Sequence, residues 1–272
     1  MNLNIVTAAS NSVGKSILKK IGNSQDITLG LSRRGCDIAN VLNVQLIDLT
    51  DEEEVKKTLM TVLGSIDSNS IDTIRIFHNC CYAVAEVPDL DVNHPLLQQE
   101  PKLIDKLILQ DNDGDGIDDR AYHSLLTTFD NVFTTVQYHY PNKKISVGTI
   151  CSLIDKKKYI PTIFQSMVRS NKMLRGKIES LAMSNANIQA VCISASTVKT
   201  GTETNFRKFC KEQQYRTSGD TIADVLVSEM KEHKNLYKDI DVYTFNPRYN
   251  EYYKNETDEQ MTERLKGEIG LI

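Results

Sequence analysis

The chain alternates short apolar runs with longer amphipathic segments from its first residues onward. Between the runs, apolar positions recur at a period of about 3.6 residues, which is typical of helices that cover one face of a sheet. The apolar runs have the length and β-branched content of strands and lie at Leu3–Thr7, Ile27–Ser32, Val44–Asp48, Thr73–His78, Lys144–Thr149, Ile188–Ser194 and Asp241–Phe245. The helical pattern predicts helices at Val13–Ile21, Asp51–Ile66, Arg120–Tyr140, Thr162–Ser184 and Thr221–Lys234.

This alternation predicts a parallel sheet of about seven strands with helices on both faces. Right-handed crossovers make it a doubly wound α/β fold. No repeat or low-complexity linker divides the chain, so we expect one domain over residues 1–272. An insertion at about 83–119 and a tail at about 246–272 do not fit the alternation, and long segments of this kind usually serve function.

Composition narrows the possible partners. The net charge of -4 and the pI near 5.8 argue against nucleic acid or a membrane surface as the main partner. No apolar run is long enough to span a bilayer, and the N-terminus lacks the features of a signal peptide. The six cysteines form no C-x-x-C pattern, so we expect reduced thiols and a cytoplasmic protein.

The first strand runs into a helix through the small residues of TAASNSVGKSI, from Thr7 to Ile17. At such a turn, backbone N–H groups and the helix dipole attract phosphate. Small side chains let the backbone approach the ligand, and Gly14 allows close packing of helix and sheet. The alternative is an ordinary βα turn, since only one of three possible glycines is present.

Several loops together resemble the short-chain dehydrogenase/reductase family over nearly the whole chain. The family's first-turn motif, T-G-x-x-x-G-I-G, aligns without gaps with Thr7–Gly14, where Ala8 and Ser12 replace the earlier glycines. IDLTD at residues 47–51 resembles the family's D-V-T-D, and HNCC at 78–81 resembles N-N-A-G. CISASTVKTG at 192–201 resembles A-P-G-x-V-x-T. The resemblance implies a Rossmann fold of this family's type.

The resemblance also implies a nicotinamide dinucleotide at the carboxyl edge of the sheet. A carboxylate at the end of the second strand favours NAD, whereas an arginine suits the 2′-phosphate of NADP. The sequence has arginines and no carboxylate there, so we expect NADP, with NAD or a merely solvated basic turn as alternatives. The implied cofactor-binding residues are Thr7, Ala9, Ser10, Asn11, Ser12, Val13, Gly14, Arg33, Arg34, Asp48, Leu49, Asn79, Cys80, Lys172 and Thr200.

The family's catalytic positions are only partly retained. In the family, a tyrosine exchanges a proton with the substrate oxygen, and a lysine four residues later holds the ribose. The lysine matches Lys172, but the tyrosine position is Val168, which has no proton to give. Ser152 is the nearest candidate for the family's serine, with Thr149 as its rival, and the family's asparagine falls on Thr128, with Asn131 nearby.

Another residue could replace the missing tyrosine. Tyr159 is the first candidate because its loop enters the catalytic helix, although a surface tyrosine beside three lysines explains it as well. Residues of the long insertions are further candidates, namely His94, His123 and Tyr215.

One acidic stretch, DNDGDGIDD at Asp111–Asp119, resembles the start of a calcium loop. The twelfth position, where such loops place a bidentate glutamate, is Tyr122. We therefore expect no metal but an exposed acidic turn that caps a helix beginning near Asp118, with Ca²⁺ binding as the alternative.

Two functions are compatible with these patterns. The first is an NAD(P)-dependent oxidoreductase that moves a hydride to or from a carbonyl or hydroxyl carbon of a small molecule. The second is a catalytically degenerate protein that binds a dinucleotide or a partner without turnover. The resemblance also implies homodimers or homotetramers formed through residues 120–140 and 162–184, which would place Met167 and Leu174 against a partner subunit.

Overall fold

The computed structural model of the chain describes residues 1–22, 25–79, 85–156, 160, 162–196, 198–199, 207–210, 217–232, 235–242 and 256–272. Its strands are β1 Asn2–Val6, β2 Ile27–Ser32, β3 Leu42–Gln45, β4 Thr73–His78, β5 Lys144–Ser152, β6 Ile188–Ala195, β7 Val198–Lys199, β8 Thr217–Ser218 and β9 Tyr237–Val242. A 7-stranded parallel sheet has the order β3-β2-β1-β4-β5-β6-β9, and β7 pairs with β8.

Helices fill the connections between these strands. They are α1 Ser12–Ile21, α2 Glu52–Gly64, α3 Pro95–Gln99, α4 Ile104–Leu107, α5 Asp119–Tyr122, α6 Thr128–His139, α7 Gln165–Ser184, α8 Gly219–Glu232 and α9 Asp258–Ile269. A π-helical turn, His123–Thr127, joins α5 to α6. No described helix has both the length and the apolar character needed to cross a membrane.

The doubly wound α/β fold predicted from the sequence is confirmed. The strand order reverses between β1 and β4, which is the point where open sheets of this kind bind ligands. The last strand begins at Tyr237 rather than at Asp241, because pairing with β6 defines this polar edge strand and an apolar pattern does not. Residues 243–245 of the prediction lie outside the described residues.

Successive strand residues point into two separate cores, as the pleat of a strand requires. In β1, Ile5 enters the core beneath α2, α6 and α7, while Val6 enters the core beneath α1 and α8. Cys192 and Ile193 of β6 divide in the same way. Both faces of the sheet are therefore covered by helices.

Leu174 of α7 lies in the first of these cores and has no exposed surface. The expectation that it faces a partner subunit is wrong, because α7 turns this position toward the sheet. Met167, on the same helix, is half-buried, so its place at an interface stays a prediction.

A third, smaller core joins the two segments that did not fit the alternation. We call it the cap and define it as residues 85–107, 162–164, 207–210 and 256–272. Its buried side chains are Ala85, Val87, Leu97, Leu103, Leu107, Ile163, Met261, Leu265 and Ile269. The cap follows the carboxyl end of β4 and leads into α7, so it lies at the same edge of the sheet as the expected cofactor site.

Candidate functional site

The turn between β1 and α1 is closed by hydrogen bonds at its start and end. Asn11 is the N-cap of α1, and its side-chain oxygen accepts from the Gly14 amide at 2.6 Å. The backbone N–H of Asn11 donates to the Ala8 carbonyl at 3.0 Å. Within the described part of the chain, the backbone N–H groups of Ser12 and Val13 have no acceptor, as is usual for the first turn of a helix. They are thus available to an anion.

Asn79, directly after β4, connects this turn to the neighbouring strand. Its backbone N–H donates to Thr7 Oγ1 at 3.1 Å, and its Nδ2 donates to the Thr7 carbonyl at 2.7 Å. Its Oδ1 accepts from Asn11 Nδ2 at 2.7 Å. Asn79 is buried, so these bonds fix the carboxyl ends of β1 and β4 and the start of α1 relative to one another.

The backbone of the turn has the geometry of a glycine-rich loop even though two glycines are replaced. Ala8 has a φ of 47°, in the left-handed region that favours glycine. A side chain at Gly14 would force the turn to shift, because a Cβ there would lie 2.5 Å from the Ala8 carbonyl oxygen and 2.9 Å from Ala9 Cα. Ser12, at the other lost glycine, is exposed and meets no such obstacle.

Basic side chains surround the end of β2. Arg33 and Arg34 are exposed and form no ion pair within the described residues. Burial raises the pKa of the Cys36 thiol, and the nearby Lys15 ammonium of α1 opposes this rise. Lys15 belongs to the first turn of α1, and Arg33 and Arg34 directly follow β2, the strand that pairs with β1.

The loop after β3 is held from two sides. The Glu54 carboxylate accepts from the amides of Ile47 and Asp48 at 2.8 and 2.9 Å. Asn131 Nδ2 donates to the carbonyls of Leu49 and Thr50 at 3.2 and 3.0 Å. Asp48 is exposed and Leu49 is buried. Asn131 thus supports the loop expected to contact the adenine, whereas the Thr128 hydroxyl bonds to the His123 carbonyl within its own helix.

The two serine-position candidates lie at different depths. Thr149 has no exposed surface, and its hydroxyl has no partner within the described residues. Ser152 is the last residue of β5 and is half-buried. Its amide donates to Asp155 Oδ2 at 3.0 Å, and its Oγ accepts from the Ile154 amide at 3.4 Å. The Ser152 hydroxyl proton is therefore available to a ligand, while Thr149 is enclosed by the sheet.

A buried network that the sequence did not predict supports Ser152. Asp155 Oδ1 accepts from Asn171 Nδ2 at 3.2 Å, and Asp155 Oδ2 lies 3.4 Å from Arg175 Nη2. Arg175 also donates to Ser194 Oγ at 2.9 Å. Burial raises the pKa of the Asp155 carboxyl, and the Ser152 amide, Asn171, Arg175 and Lys172 oppose that rise.

Val168 and Lys172 lie one turn apart on α7, but their surroundings differ. Val168 is only 1% exposed and is part of the packed interior. Lys172 is exposed and forms no hydrogen bond or ion pair within the described part of the chain. The Lys172 ammonium lowers the pKa of the Asp155 carboxyl and so opposes the effect of burial there.

The remaining candidate site residues either form hydrogen bonds within their own segment or lie outside the described residues. His94 caps α3 by accepting from the Leu96 amide, and His123 bonds to Thr127 Oγ1. Four predicted residues lie outside the described residues, namely Cys80, Tyr159, Thr200 and Tyr215.

The acidic stretch forms a turn before α5. Asp118 is the N-cap of α5, as predicted, and accepts from the amides of Arg120 and Ala121. The carboxylate oxygens of Asp111, Asp113 and Asp115 lie within 4.8 Å of one another. Asp111 already accepts from the amides of Gly114 and Gly116.

Solved structures of several oxidoreductases share this architecture. An alcohol dehydrogenase from the archaeon Thermococcus sibiricus, complexed with 5-hydroxy-NADP, superposes with a TM-score of 0.63 at 12% identity, covering 90% of this chain and 97% of that one. A short chain dehydrogenase from Burkholderia cenocepacia in complex with NADP gives 0.63 at 10% identity, covering 97% of both chains. The 3-ketoacyl-(acyl-carrier-protein) reductase from Brucella melitensis, complexed with NADH, gives 0.61 at 12% identity, covering 90% and 97%.

No protein-family model matches the sequence, and comparison with curated proteins gives no match either. The likeness therefore lies in the arrangement of strands and helices rather than in sequence identity. The chain has the Rossmann fold of the short-chain dehydrogenases and reductases.

Proposed function

We propose that this chain binds NADP(H) at the carboxyl edge of the sheet and transfers a hydride between it and a carbonyl or hydroxyl carbon of a small molecule. The observation that carries the proposal is the start of α1. There the amides of Ser12 and Val13 have no acceptor within the described residues, Lys15 follows on the same helix, and Arg33 and Arg34 directly follow the neighbouring strand β2. A helix N-terminus attracts phosphate, and arginines at the end of the second strand suit a 2′-phosphate.

The solved neighbours support the choice of cofactor. Two of the three described above are complexed with NADP or a derivative, and one with NADH. NAD is the alternative cofactor for this chain. The two arginines and the lack of a carboxylate at the end of β2 favour NADP.

The proposed reaction needs a hydride, a proton and an oriented carbonyl. Bound NADPH would supply the hydride, and reduction of the carbonyl with one proton would give an alcohol and NADP⁺. Ser152 would donate its hydroxyl proton as a hydrogen bond to the substrate oxygen, and the Lys172 ammonium would hold the ribose. Because Val168 carries no acid, the transferred proton would come from water. Tyr159 stays the first candidate for a side-chain donor.

A second function, dinucleotide binding without turnover, is favoured by one observation. Val168 is buried as well as apolar, so the tyrosine position has become part of the protein interior. Restoring the phenol with Val168→Tyr does not separate the two functions, since enlarging a packed side chain costs roughly 1–3 kcal/mol of stability. Oxidation of NADPH by the wild-type protein with a panel of aldehydes and ketones separates the two functions. Turnover supports the first, and saturable binding with no turnover across the panel supports the second.

The preference for NADP can be tested at Arg33 and Arg34. Replacing both by alanine should weaken NADPH binding at least about tenfold, because a single charge-assisted bond to phosphate contributes about 1.5–3 kcal/mol. NADH binding should be unchanged. The Lys56→Ala/Lys57→Ala variant is a matched control, since it removes two adjacent exposed cations from α2. Equal loss for both cofactors would contradict a 2′-phosphate site.

We propose further that the protein is cytoplasmic and forms a homodimer or homotetramer. Tyr138 of α6 and Met173 and Met183 of α7 are large exposed side chains on the outer faces of these helices. Sedimentation of the wild type and of a Met173→Lys/Met183→Lys variant tests this assembly. A monomeric wild type would contradict it.

A further inference from the structure

His78, the last residue of β4, is enclosed by the protein and only 1% exposed. Its Nδ1 lies 3.2 Å from Thr7 Oγ1, and its Nε2 lies 2.9 Å from the Leu125 carbonyl oxygen. Its ring meets Phe129 edge-on, with 5.5 Å between ring centroids. One side chain therefore joins the end of β1 to the π-helical turn before α6.

The hydrogen bonds determine which nitrogen carries the proton. The Leu125 carbonyl can only accept, so His78 Nε2–H donates to it. Thr7 Oγ1 accepts from the Asn79 amide, and its own proton is then free to be donated to His78 Nδ1. Both ring nitrogens are satisfied in the neutral form, and a second proton on the ring would leave the Thr7 hydroxyl proton without this acceptor.

Each end of this connection continues into a loop of the proposed cofactor site. From Thr7, bonds run through Asn79 and Asn11 to the Gly14 amide at the start of α1. From the π-helical turn, α6 continues to Asn131, which supports the loop after β3. A π-helical turn inside a helix is often a functional feature rather than a defect.

We propose that His78 is a positioning residue that couples the start of α1 to the π-helical turn, so that a dinucleotide bound at the first also orders the second. The inference rests on the proposed cofactor site. It assigns His78 no contact with cofactor or substrate.

The neighbours of His78 carry no charge, so protonation of its ring can be used to test this coupling. Thr7 from β1, Leu125 from the π-helical turn, Phe129 from α6 and Thr149, its register partner on β5, carry no charge. Burial lowers the pKa of His78 to about 4, and the bond to the Leu125 carbonyl opposes this. Within the described residues, no charged group contributes to that pKa.

Two substitutions separate the two hydrogen bonds. His78→Asn places an amide where Nδ1 lies and keeps a partner for Thr7, but it cannot reach Leu125. His78→Gln places an amide where Nε2 lies and keeps the bond to Leu125, but it loses Thr7. Both residues are neutral and polar, and circular dichroism would check that each variant folds.

The readouts are the NADPH dissociation constant and hydrogen exchange with and without saturating NADPH. In the wild type, NADPH should slow exchange at residues 7–14 and at 123–130. In His78→Asn, affinity should stay within about threefold of the wild type, and the slowing at 123–130 should disappear. In His78→Gln, which leaves the Thr7 hydroxyl proton without its acceptor, affinity should fall about tenfold.

A second measurement needs no cofactor. Lowering the pH from 7 to 4.5 should reduce exchange protection at 7–14 and at 123–130 together in the wild type. Neither variant has a titrating ring, so neither should show the paired loss. Slowing at 123–130 that survives in His78→Asn, or acid exchange that is the same in all three proteins, would overturn the coupling. If NADPH does not bind the wild type, the proposed function fails, and the acid measurement still decides the coupling.

Discussion

The two halves of the candidate site have diverged to different extents from the family they resemble. At the β1–β4 half, Thr7, Asn11, Gly14 and Asn79 form a closed set of hydrogen bonds around the start of α1. At the β5–α7 half, Ser152 and Lys172 are present, but the residue of α7 that the resemblance aligns with the family's tyrosine is the buried Val168.

The conformation of a backbone turn therefore tolerates substitution better than proton transfer by a side chain does. Ala8 adopts the left-handed conformation that glycine adopts easily, so the turn survives the change. No rearrangement of the backbone can give valine a transferable proton. In the proposed function, the β1–β4 half binds the dinucleotide, and the proton comes from water or from a residue other than Val168.

The largest expected effect comes from breaking the support beneath Ser152. Asp155→Ala removes one of the two carboxylate partners of the half-buried Arg175 and leaves the Ser152 amide and Asn171 Nδ2 without this acceptor. Because each buried donor left without an acceptor costs about 1–3 kcal/mol, the two together should cost about 2–6 kcal/mol of unfolding free energy. Urea unfolding measures this, with the exposed Asp37→Ala as control. A loss below about 1 kcal/mol would contradict a structural role for the network.

The β1–β4 half should have its own acid sensitivity. Burial holds the pKa of His78 at about 4 in the folded protein, against an ordinary value of 6.5. The neutral ring therefore stabilises the fold fully above pH 6.5, and this contribution, about 3 kcal/mol, is lost as the pH falls toward 4. Urea unfolding at pH 7 and 4.5 measures the loss, and His78→Asn should lack this component. An equal loss in that variant would assign the acid sensitivity to other groups.

Close packing at the start of α1 predicts a smaller loss of stability when Gly14 is replaced. Gly14→Ala forces a methyl group against the Ala8 carbonyl, so it should cost about 1–3 kcal/mol and weaken NADPH binding. Gly176→Ala is the matched control, because nothing lies within 4 Å of its added Cβ and alanine favours a helix by about 0.5–1 kcal/mol. Equal behaviour of the two variants would refute the close approach of helix and turn.

The smallest expected change in stability concerns Ala8, which stands where the family's motif has a glycine. Ala8→Gly should stabilise the protein by about 0.5–1 kcal/mol, since it relieves a left-handed alanine at some cost in chain entropy. Ala9→Gly, at an adjacent residue without a positive φ, should destabilise it instead. Thermal unfolding of the two variants checks the opposite signs.

Sequence patterns predicted the sheet well because most of its strands are buried on both faces and therefore consist of apolar residues. They failed at β9, where Lys238 and Asp239 make an edge strand look like a loop. They also missed the cap, since α3, α4 and α9 are short or lie far apart along the chain and find their apolar partners only in the fold.

Within the candidate site, the turn at Thr7–Gly14 could be predicted because its small residues are contiguous. The network of Asp155, Asn171 and Arg175 could not, since polar residues on a helix usually face solvent and no local pattern marks buried ones. The roles of Cys80, Tyr159 and Thr200 stay predictions.

Calorimetric titration of the wild-type protein with NADPH determines whether the β1–β4 half binds a dinucleotide. We expect one saturable site for NADPH, with NADH bound more weakly. NADPH at about one hundred times its Kd should stabilise the protein against heat by roughly 2.7 kcal/mol. No heat of binding and no stabilisation by either NADPH or NADH would contradict a dinucleotide site.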